Sequence, residues 1–137
     1  MKRHIFIFIV SLAPVFLNAQ AKDYKVVFDL TSKDTADQMN VLRWVNMISK
    51  EDPDALLEIV FYGQSLDLVV KDKSVAPEVV TKLAANKNVS FRVCSIAMKK
   101  HNIDNSQLLA GIQTVPDGIY EIVSRQREGW GYIKVSH

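Results

Sequence analysis

Five apolar, strand-like runs alternate with segments of helical periodicity along this chain, and no other feature restricts its fold as strongly. The runs are rich in β-branched and aromatic residues and are bounded by turn residues. They cover residues 24–30, 55–62, 88–94, 112–115 and 130–135. Strands that alternate with helices usually form a mainly parallel sheet with helices packed on its faces. The sequence therefore predicts a three-layer α/β fold with five strands.

The first helix is predicted from a capping pattern. Thr35 is followed by Gln38 three positions later, which is typical of a capping box, and the helix should run for about four turns before Pro53. We expect its apolar stripe to pack on the sheet, with Trp44 and the methionines as core residues rather than cofactor contacts. The stripe contains Ala36, Met39, Leu42, Val45, Met47 and Ile48.

Proline, asparagine, aspartate and glycine residues mark the other helices. Pro77 predicts the start of a helix that ends near residue 86. Residues 103–111 predict a short helix capped by residue 104 or 105, and residues 65–70 predict either a helical turn or an extended piece. Asp117 and Gly118 begin the last helix, and Gly129 ends it. Its predicted apolar stripe consists of Ile119, Ile122 and Val123.

The first 21 residues predict a cleaved secretory signal peptide. Lys2 and Arg3 precede an apolar run over residues 5–17, and small residues allow cleavage after Ala19 or Ala21. Pro14 interrupts the run, which is also shorter than the roughly 20 apolar residues of a membrane-spanning helix. No cysteine follows the run, so no bacterial lipid anchor is expected there. We expect one exported domain over residues 22–137, periplasmic or secreted from a bacterium, with no membrane insertion after cleavage.

Charge and cysteine content restrict the partners of this domain. The chain has 17 basic and 15 acidic residues, and Lys2 and Arg3 lie in the predicted signal, so 15 of each sign remain. Nucleic-acid binding requires a clustered basic face, which a balanced charge does not indicate. A single cysteine permits no internal disulfide. We therefore expect stability from packing, assisted by oligomerisation.

The only cysteine, Cys94, stands where the predicted third strand meets a helix. Ser95 is a favourable N-cap for this helix, whose unpaired N–H groups and positive dipole end would favour an anion. Only the thiolate form of cysteine is nucleophilic, so this position suits a reactive thiol. Positive charge nearby comes from Arg92, Lys99 and Lys100. Free cysteine is also among the most buried residue types, and a structural role in the core stays open.

Other common site chemistries have no recognisable motif. Neither a glycine-rich dinucleotide turn nor a Walker-type loop is present, so no cofactor is predicted. Residues 31–35 could hold a phosphate, although a helix-capping turn explains them equally well. No histidine or cysteine pair has zinc-ligand spacing, so no metal site is predicted. Cys94 and His101 would lie about 10 Å apart on one continuous helix, which is too far for a nucleophile and its base.

Three segments together resemble the DsrE/DsrF-like family, in particular exported members known only as DsrE family proteins. The similarity covers essentially the whole chain after the predicted signal. The segments are Cys94-Ser-Ile-Ala-Met98, Val115-Pro-Asp-Gly118 and Gln126-Arg-Glu-Gly-Trp-Gly-Tyr-Ile133. The resemblance implies a flavodoxin-like α/β/α sandwich with a five-stranded sheet, assembled into trimers or hexamers. In the cytoplasmic sulfur-relay complexes DsrEFH and TusBCD of this family, a cysteine carries sulfur as a persulfide, and Cys94 matches its position.

Two functions are compatible with these observations. Neither of them specifies whether the protein is an enzyme. In the first, Cys94 of an exported protein accepts a sulfane sulfur as a persulfide and passes it on to a partner of unspecified identity. Ser95 would cap the activating helix, and Arg92 and Lys99 would assist electrostatically. In the second, the chain is a non-catalytic oligomeric binding or interaction module, and Cys94 is a buried structural residue.

Overall fold

A computed structural model describes residues 23–136 of the chain, and the predicted signal peptide lies outside the described residues. The strands are β1 (Lys25–Leu30), β2 (Leu56–Phe61), β3 (Val89–Cys94), β4 (Gln113–Val115) and β5 (Gly131–Val135). The helices are α1 (Thr35–Glu51), α2 (Pro77–Ala84), α3 (Ser95–Lys100) and α4 (Gly118–Arg127). Two 3₁₀ turns cover Ser65–Val69 and Asn105–Gln107.

The five strands form one sheet in the order β4-β3-β2-β1-β5, and every neighbouring pair is parallel. The chain steps from β1 to β4 one strand at a time, and α4 then carries it back across the sheet to β5 on the far edge. The connection through α4 crosses the sheet in the opposite direction to the connections through α1, α2 and α3. Because parallel connections are right-handed, α4 lies on the opposite face of the sheet from the other three helices. The predicted flavodoxin-like sandwich with five strands is therefore confirmed.

The larger part of the core lies on the face that α1, α2 and α3 cover, called here the α1 face. Phe28, Phe61 and Phe91 of the three central strands are completely buried there, and the last two stack with ring centroids 5.8 Å apart. Trp44 packs against this core with its ring centroid 6.5 Å from that of Phe28, which confirms its predicted packing role.

The opposite face, called here the α4 face, has a much smaller apolar cluster under a single helix. Val27, Val60 and Ile122 form it, with Tyr62 and Trp130 packed against them. The rest of this face carries polar and charged side chains, because β1, β2 and β3 place Asp29, Glu58 and Arg92 at alternate positions. Arg92 is two residues before Cys94 on β3, so Cys94 also lies on the α4 face.

Helix α1 departs from the sequence prediction in its cap and in its stripe. Asp34, rather than Thr35, is the N-cap, and its Oδ1 accepts a hydrogen bond from the N–H of Ala36 at 2.7 Å. The prediction that both Met39 and Met47 lie in the core is wrong, because both are exposed. The buried apolar residues of α1 are Val41, Leu42 and Val45.

The predicted helix over residues 103–111 is wrong beyond its first turn, although Asp104 does precede it as the N-cap. The backbone leaves the 3₁₀ turn to pair with the segment that follows β2. Leu109 N–H donates to Val69 C=O at 2.9 Å, and Lys71 N–H donates to Gln107 C=O at 2.8 Å. These bonds use groups that a longer helix would need for itself.

Helix α4 begins and ends as predicted, but only part of its apolar stripe is buried. Asp117 is the N-cap, and Gly129 beyond the helix has a φ of 84°, a conformation that glycine adopts without steric cost. Ile122 lies in the core, whereas Ile119 and Val123 are exposed. Of the predicted apolar stripe, only Ile122 is therefore buried.

Candidate functional site

Cys94 lies at the point where the sheet connections change face. The chain leaves β3 toward α3 on the α1 face, whereas it leaves the neighbouring strand β4 toward α4 on the other face. Two adjacent strands whose connections part in this way open a crevice at their carboxyl ends, and ligands of open α/β sheets bind in such crevices. Cys94 is the last residue of β3 and therefore borders this crevice.

A cavity of about 270 Å³ occupies the crevice. Cys94 forms part of its wall, and the other residues around it come from the end of β2, from α3 and from the start of α4. They are Tyr62, Gly63, Ile96, Ala97, Lys100, Asp117 and Ile119. Cys94 is a free cysteine with only 5% of its surface exposed. The thiol thus borders an opening while most of its surface is packed.

The start of α4 approaches Cys94 closely because residue 118 is glycine. A Cβ at Gly118 would lie 3.2 Å from the Cβ of Cys94 and 3.2 Å from Cγ1 of Val60. Asp117 caps the helix, and its Oδ1 accepts from the N–H groups of Ile119 at 2.9 Å and Tyr120 at 3.5 Å. The helix end beside the thiol therefore carries its own carboxylate.

Ser95 does not have the capping position that the sequence predicts. Helix α3 begins at Ser95 itself, so Cys94 is in the N-cap position, and no side chain makes a capping hydrogen bond there. The helix is also only six residues long. Its dipole is correspondingly small, and the predicted activation by a capped helix end loses much of its structural basis.

The two other predicted helpers lie away from the cavity. Arg92 is on the same face as Cys94, but it faces Glu58, with Nε 3.6 Å from Oε2 and without a hydrogen bond to it. Lys99 lines a separate depression of about 240 Å³ together with Ser95. The cation that lines the Cys94 cavity is the next residue of the helix, Lys100.

A charge cluster around the buried Glu58 lies under α4, on the same face of the sheet. Arg125 Nε donates to both carboxylate oxygens of Glu58, at 3.1 and 3.0 Å, and Nη2 lies 3.0 Å from Oε2. Glu121 and Glu128 also pair with Arg125, at 2.9 and 3.1 Å. Burial raises the pKa of Glu58, Arg125 opposes this shift, and Glu121 adds to it.

A second polar cluster, not predicted from the sequence, lies beside Tyr62 at the open part of the α4 face. We call Asp29, Tyr62, Tyr132 and Lys134 the Asp29 cluster. Tyr132 donates its hydroxyl to Asp29 Oδ2 at 2.6 Å, and Lys134 Nζ donates to Oδ1 at 3.0 Å. The only sequence signal for the cluster was the acidic residue Asp29 within an otherwise apolar strand.

The tyrosines of the Asp29 cluster remain neutral over a wide pH range. Burial, and then interaction with Asp29, raise the pKa of Tyr62 well above its usual value. The hydrogen bond to Asp29, with a smaller effect of burial, raises the pKa of Tyr132 to about 12. Lys134 Nζ also lies 5.7 Å from the centre of the Tyr62 ring, a distance at which a cation and an aromatic face attract each other.

Comparison with known proteins identifies the family of the chain. A model of the DsrE/DsrF-like family matches residues 16–135. The chain belongs to the DsrE/DsrF-like family. Proteins of this family generally act in sulfur relay, and this member contains one cysteine, buried at the carboxyl end of β3. A search of curated proteins finds no match.

Solved structures share the DsrE/DsrF-like fold. A protein of unknown function from Methanobacterium thermoautotrophicum is 29% identical, with a TM-score of 0.76 over 82% of this chain and 99% of that chain. The ychN protein from E. coli is 10% identical, with a TM-score of 0.69 over 82% and 99%. A protein of unknown function from Bacteroides thetaiotaomicron is 15% identical, with a TM-score of 0.68 over 81% and 94%.

The remaining sequence candidates add no second site to this DsrE/DsrF-like domain. His101 places Nε2 2.6 Å from the carbonyl oxygen of Gly63. In the turn that could have held a phosphate, Thr31 accepts from Lys134 at 2.8 Å and Ser32 accepts from the Asp34 N–H at 3.0 Å, which favours the capping interpretation. Residues 23–136 contain no cluster of three or more metal-ligating side chains, and none of their helices could span a membrane.

Proposed function

We propose that this protein carries sulfane sulfur as a persulfide on Cys94. The Cys94 thiolate attacks the outer sulfur of a donor persulfide, so that a bond forms between Sγ and that sulfur while the donor sulfur–sulfur bond breaks. The donor leaves as a thiolate, and the proton on the transferred sulfur stays with it. Transfer to an acceptor thiolate is the same exchange in reverse and needs no added oxidant or reductant.

The position of Cys94 in the crevice at the switch of connections is the observation that carries this proposal. A thiol packed within the core would have no room for an added sulfur atom, whereas Cys94 borders a cavity of about 270 Å³. Lys100 lines the same cavity and supplies positive charge for a thiolate or persulfide anion. The sulfur-relay role general to the family agrees with this chemistry.

The low exposure of Cys94 favours a second candidate, a non-catalytic interaction module with a structural cysteine. Its side chain is mostly covered, and Gly118 of α4 packs directly on its Cβ. A cysteine that serves only to fill the junction between β3 and α4 would show the same burial and the same contact with Gly118. The two functions differ in whether the sulfur atom can be reached from the cavity.

Alkylation of the folded protein distinguishes the two candidates. We expect iodoacetamide to modify Cys94 in the folded protein at neutral pH, with a rate that rises with pH along a single titration curve. Denatured protein provides the rate for a fully exposed thiol. If Cys94 reacts only after denaturation, sulfur carriage on this residue is contradicted and the structural role is supported.

We further propose that the domain is exported and forms a homotrimer or homohexamer. Export is supported by the pattern of residues 1–21, which would be removed after Ala19 or Ala21. Assembly is supported by apolar side chains that stand exposed on the thinly covered α4 face. They are Ile119, Tyr120, Val123 and Tyr132. The sulfur donor and acceptor would meet Cys94 outside the cytoplasm.

A further inference from the structure

The Asp29 cluster holds a buried carboxylate beside a cation at the carboxyl edge of the sheet. Asp29 is 4% exposed, and its two oxygens accept from Lys134 and Tyr132 at 3.0 and 2.6 Å. Lys134 is more exposed, and it also donates to Thr31 at 2.8 Å. Such bonds stabilise a charged carboxylate away from water, so the site contains one negative and one positive charge in close contact.

Strand register places this charge pair behind one wall of the Cys94 cavity. Asp29 pairs with Val60, and Val60 pairs with Arg92, so all three side chains share the α4 face. Two residues further along the strands, Tyr62 and Cys94 lie next to each other on that same face. A Cβ at residue 118 would lie 3.2 Å from the Cβ of Cys94 and 3.4 Å from that of Tyr62, which is consistent with this proximity.

Tyr62 separates the thiol from the pair without adding a charge of its own. Its ring lines the cavity on one side and lies 5.7 Å from Lys134 Nζ on the other. Asp29 is two strands away from Cys94 and two residues short of it along the strands, so their backbones are separated by about 12 Å. Across a protein interior, a single uncompensated charge at this distance still influences the ionisation of a thiol.

We infer that Asp29 and Lys134 are a mutually compensating charge pair behind Tyr62, in which each residue cancels the effect that the other, left alone, would have on the Cys94 thiolate. The inference rests on the proposed function, in which Cys94 acts as a thiolate. Asp29 alone would oppose a negative sulfur, and Lys134 alone would favour it. Because the two charges largely cancel, the loss of either one shifts the titration of Cys94, and the two shifts have opposite directions.

The tyrosines of the Asp29 cluster respond to Asp29, whereas the other charged groups near Cys94 are present in wild type and in every variant. Lys100 and Asp117 line the cavity, and His101 contacts the Gly63 carbonyl at its edge. Further along the α4 face lie the charges of Glu58, Glu121, Arg92 and Arg125. Comparison of variants with wild type therefore isolates the contribution of the pair.

The test is a titration of thiolate ultraviolet absorbance in the whole chain. It compares wild type with Asp29→Asn, with Lys134→Met and with the double variant. Each protein is measured against the same protein carrying Cys94→Ser, which subtracts the absorbance of ionising tyrosines. We expect the Cys94 midpoint to rise by about half a pH unit in Lys134→Met and to fall by about as much in Asp29→Asn. The double variant should return close to the wild-type midpoint.

Shifts in the same direction, or midpoints that do not move in folded variants, would overturn the inference. Circular dichroism establishes that each variant is folded. If Asp29→Asn does not fold, the test compares Lys134→Met with the charge-preserving Lys134→Arg. The first should raise the Cys94 midpoint, and the second should keep the wild-type midpoint. Sulfur uptake, measured by intact mass on the same proteins, separates the two claims. Opposite shifts without uptake contradict only the proposed function, whereas uptake without shifts contradicts only this inference.

Discussion

Two consecutive lysines on α3 line different depressions of the surface. Lys100 lines the cavity that Cys94 borders, whereas Lys99 lines the neighbouring depression with Ser95. A cation close to a thiolate stabilises the reactive form, and the benefit is modest where solvent screens the charge. The cationic helper of Cys94 should therefore be Lys100 and not Lys99.

Replacing Lys100 tests this assignment with a matched control on the same helix. We expect Lys100→Met to slow the alkylation of folded Cys94 at neutral pH by about threefold, because the thiolate loses a nearby positive charge. Lys99→Met should leave the rate within experimental error of wild type. Equal effects of both substitutions would show that the rate follows the net charge of α3 and not the lining of the cavity.

The ion pair of Glu58 and Arg125 is expected to affect stability strongly. Glu58 is 1% exposed, and Arg125 opposes the rise that burial gives to its pKa. Arg125→Met would leave this carboxylate buried and unpaired, so we expect the free energy of unfolding to fall by about 3 kcal/mol at neutral pH. Chemical denaturation of both proteins measures the difference.

The pH dependence of this loss has a definite sign. With a pKa raised in the folded state, Glu58 takes up a proton more readily in the folded chain than in the unfolded one, so its contribution to stability is greatest at low pH and is lost as the pH rises through the folded value. Without Arg125 the pKa rises further. The deficit of Arg125→Met should therefore shrink as the solution is acidified, and adding Glu58→Gln should remove most of that pH dependence. A deficit that is constant with pH would contradict this account.

Local sequence indicated the position of Cys94 but not the side chains that surround it. The strand-like run that ends at Cys94 is a local pattern, and so is the helix that follows it. The Asp29 cluster instead depends on β5 lying beside β1, which brings Tyr132 and Lys134 next to a residue about 100 positions earlier. Strand order is decided by packing of the whole sheet, and no local period encodes it.

At the scale of elements, α4 can lie close against the sheet because Gly118 has no side chain. Gly118 lets the first turn of the helix rest on the strand ends, where the nearest atoms belong to Cys94 and Val60. Both residues are buried on neighbouring strands, and their atoms have little freedom to move aside. The width of the Cys94 crevice therefore depends on how closely α4 approaches.

Gly118→Ala tests this contact. The added methyl group would lie 3.2 Å from two packed carbon atoms, so we expect the free energy of unfolding to fall by about 1.5 kcal/mol through overpacking. Gly131→Ala in β5 is the control, since its nearest contacts are at 3.5 and 3.7 Å and its φ is not positive. It should stay within about 0.5 kcal/mol of wild type. Equal losses in denaturant unfolding for both variants would contradict a specific contact at the crevice.

The elements that the sequence predicted poorly are those that tertiary contacts reshape. Residues 103–111 have helical periodicity, yet backbone bonds to Val69 and Lys71 end the helix after one 3₁₀ turn. The apolar stripe of α4 was predicted from the spacing of its apolar residues. That spacing does not reveal how few of those residues a single helix can bury against the sheet. The caps at Asp104 and Asp117 were predictable, because capping involves only neighbouring residues, whereas at α1 the cap is Asp34 and not the predicted Thr35.

At the scale of the whole molecule, the sheet is covered unequally. Within residues 23–136, three helices and the 3₁₀ turn at Ser65–Val69 cover the α1 face, whereas α4 alone covers the other. Exposed apolar side chains remain on α4, with Ile119 at 59% and Tyr120 at 68% exposure. Contiguous exposed apolar surface often marks an interface, and a homotrimer or homohexamer would cover it.

Light scattering on protein lacking residues 1–21 tests assembly. We expect the mass of a trimer or hexamer at micromolar concentration, and Ile119→Asp should lower that mass because it places a charge in the proposed interface. Val75→Asp, at an equally exposed residue outside the α4 face, should not change it. A stable monomer in the wild-type protein would contradict the proposed assembly.

Transfer of sulfur to Cys94 can be observed directly by intact mass spectrometry. Folded wild-type protein and Cys94→Ser are exposed to the same persulfide donor, freed of the donor and weighed without reducing agent. We expect wild type to gain the mass of one sulfur atom, a reductant to remove it, and Cys94→Ser to gain nothing. Equal addition to both proteins, or no addition to either, would contradict sulfur carriage on Cys94.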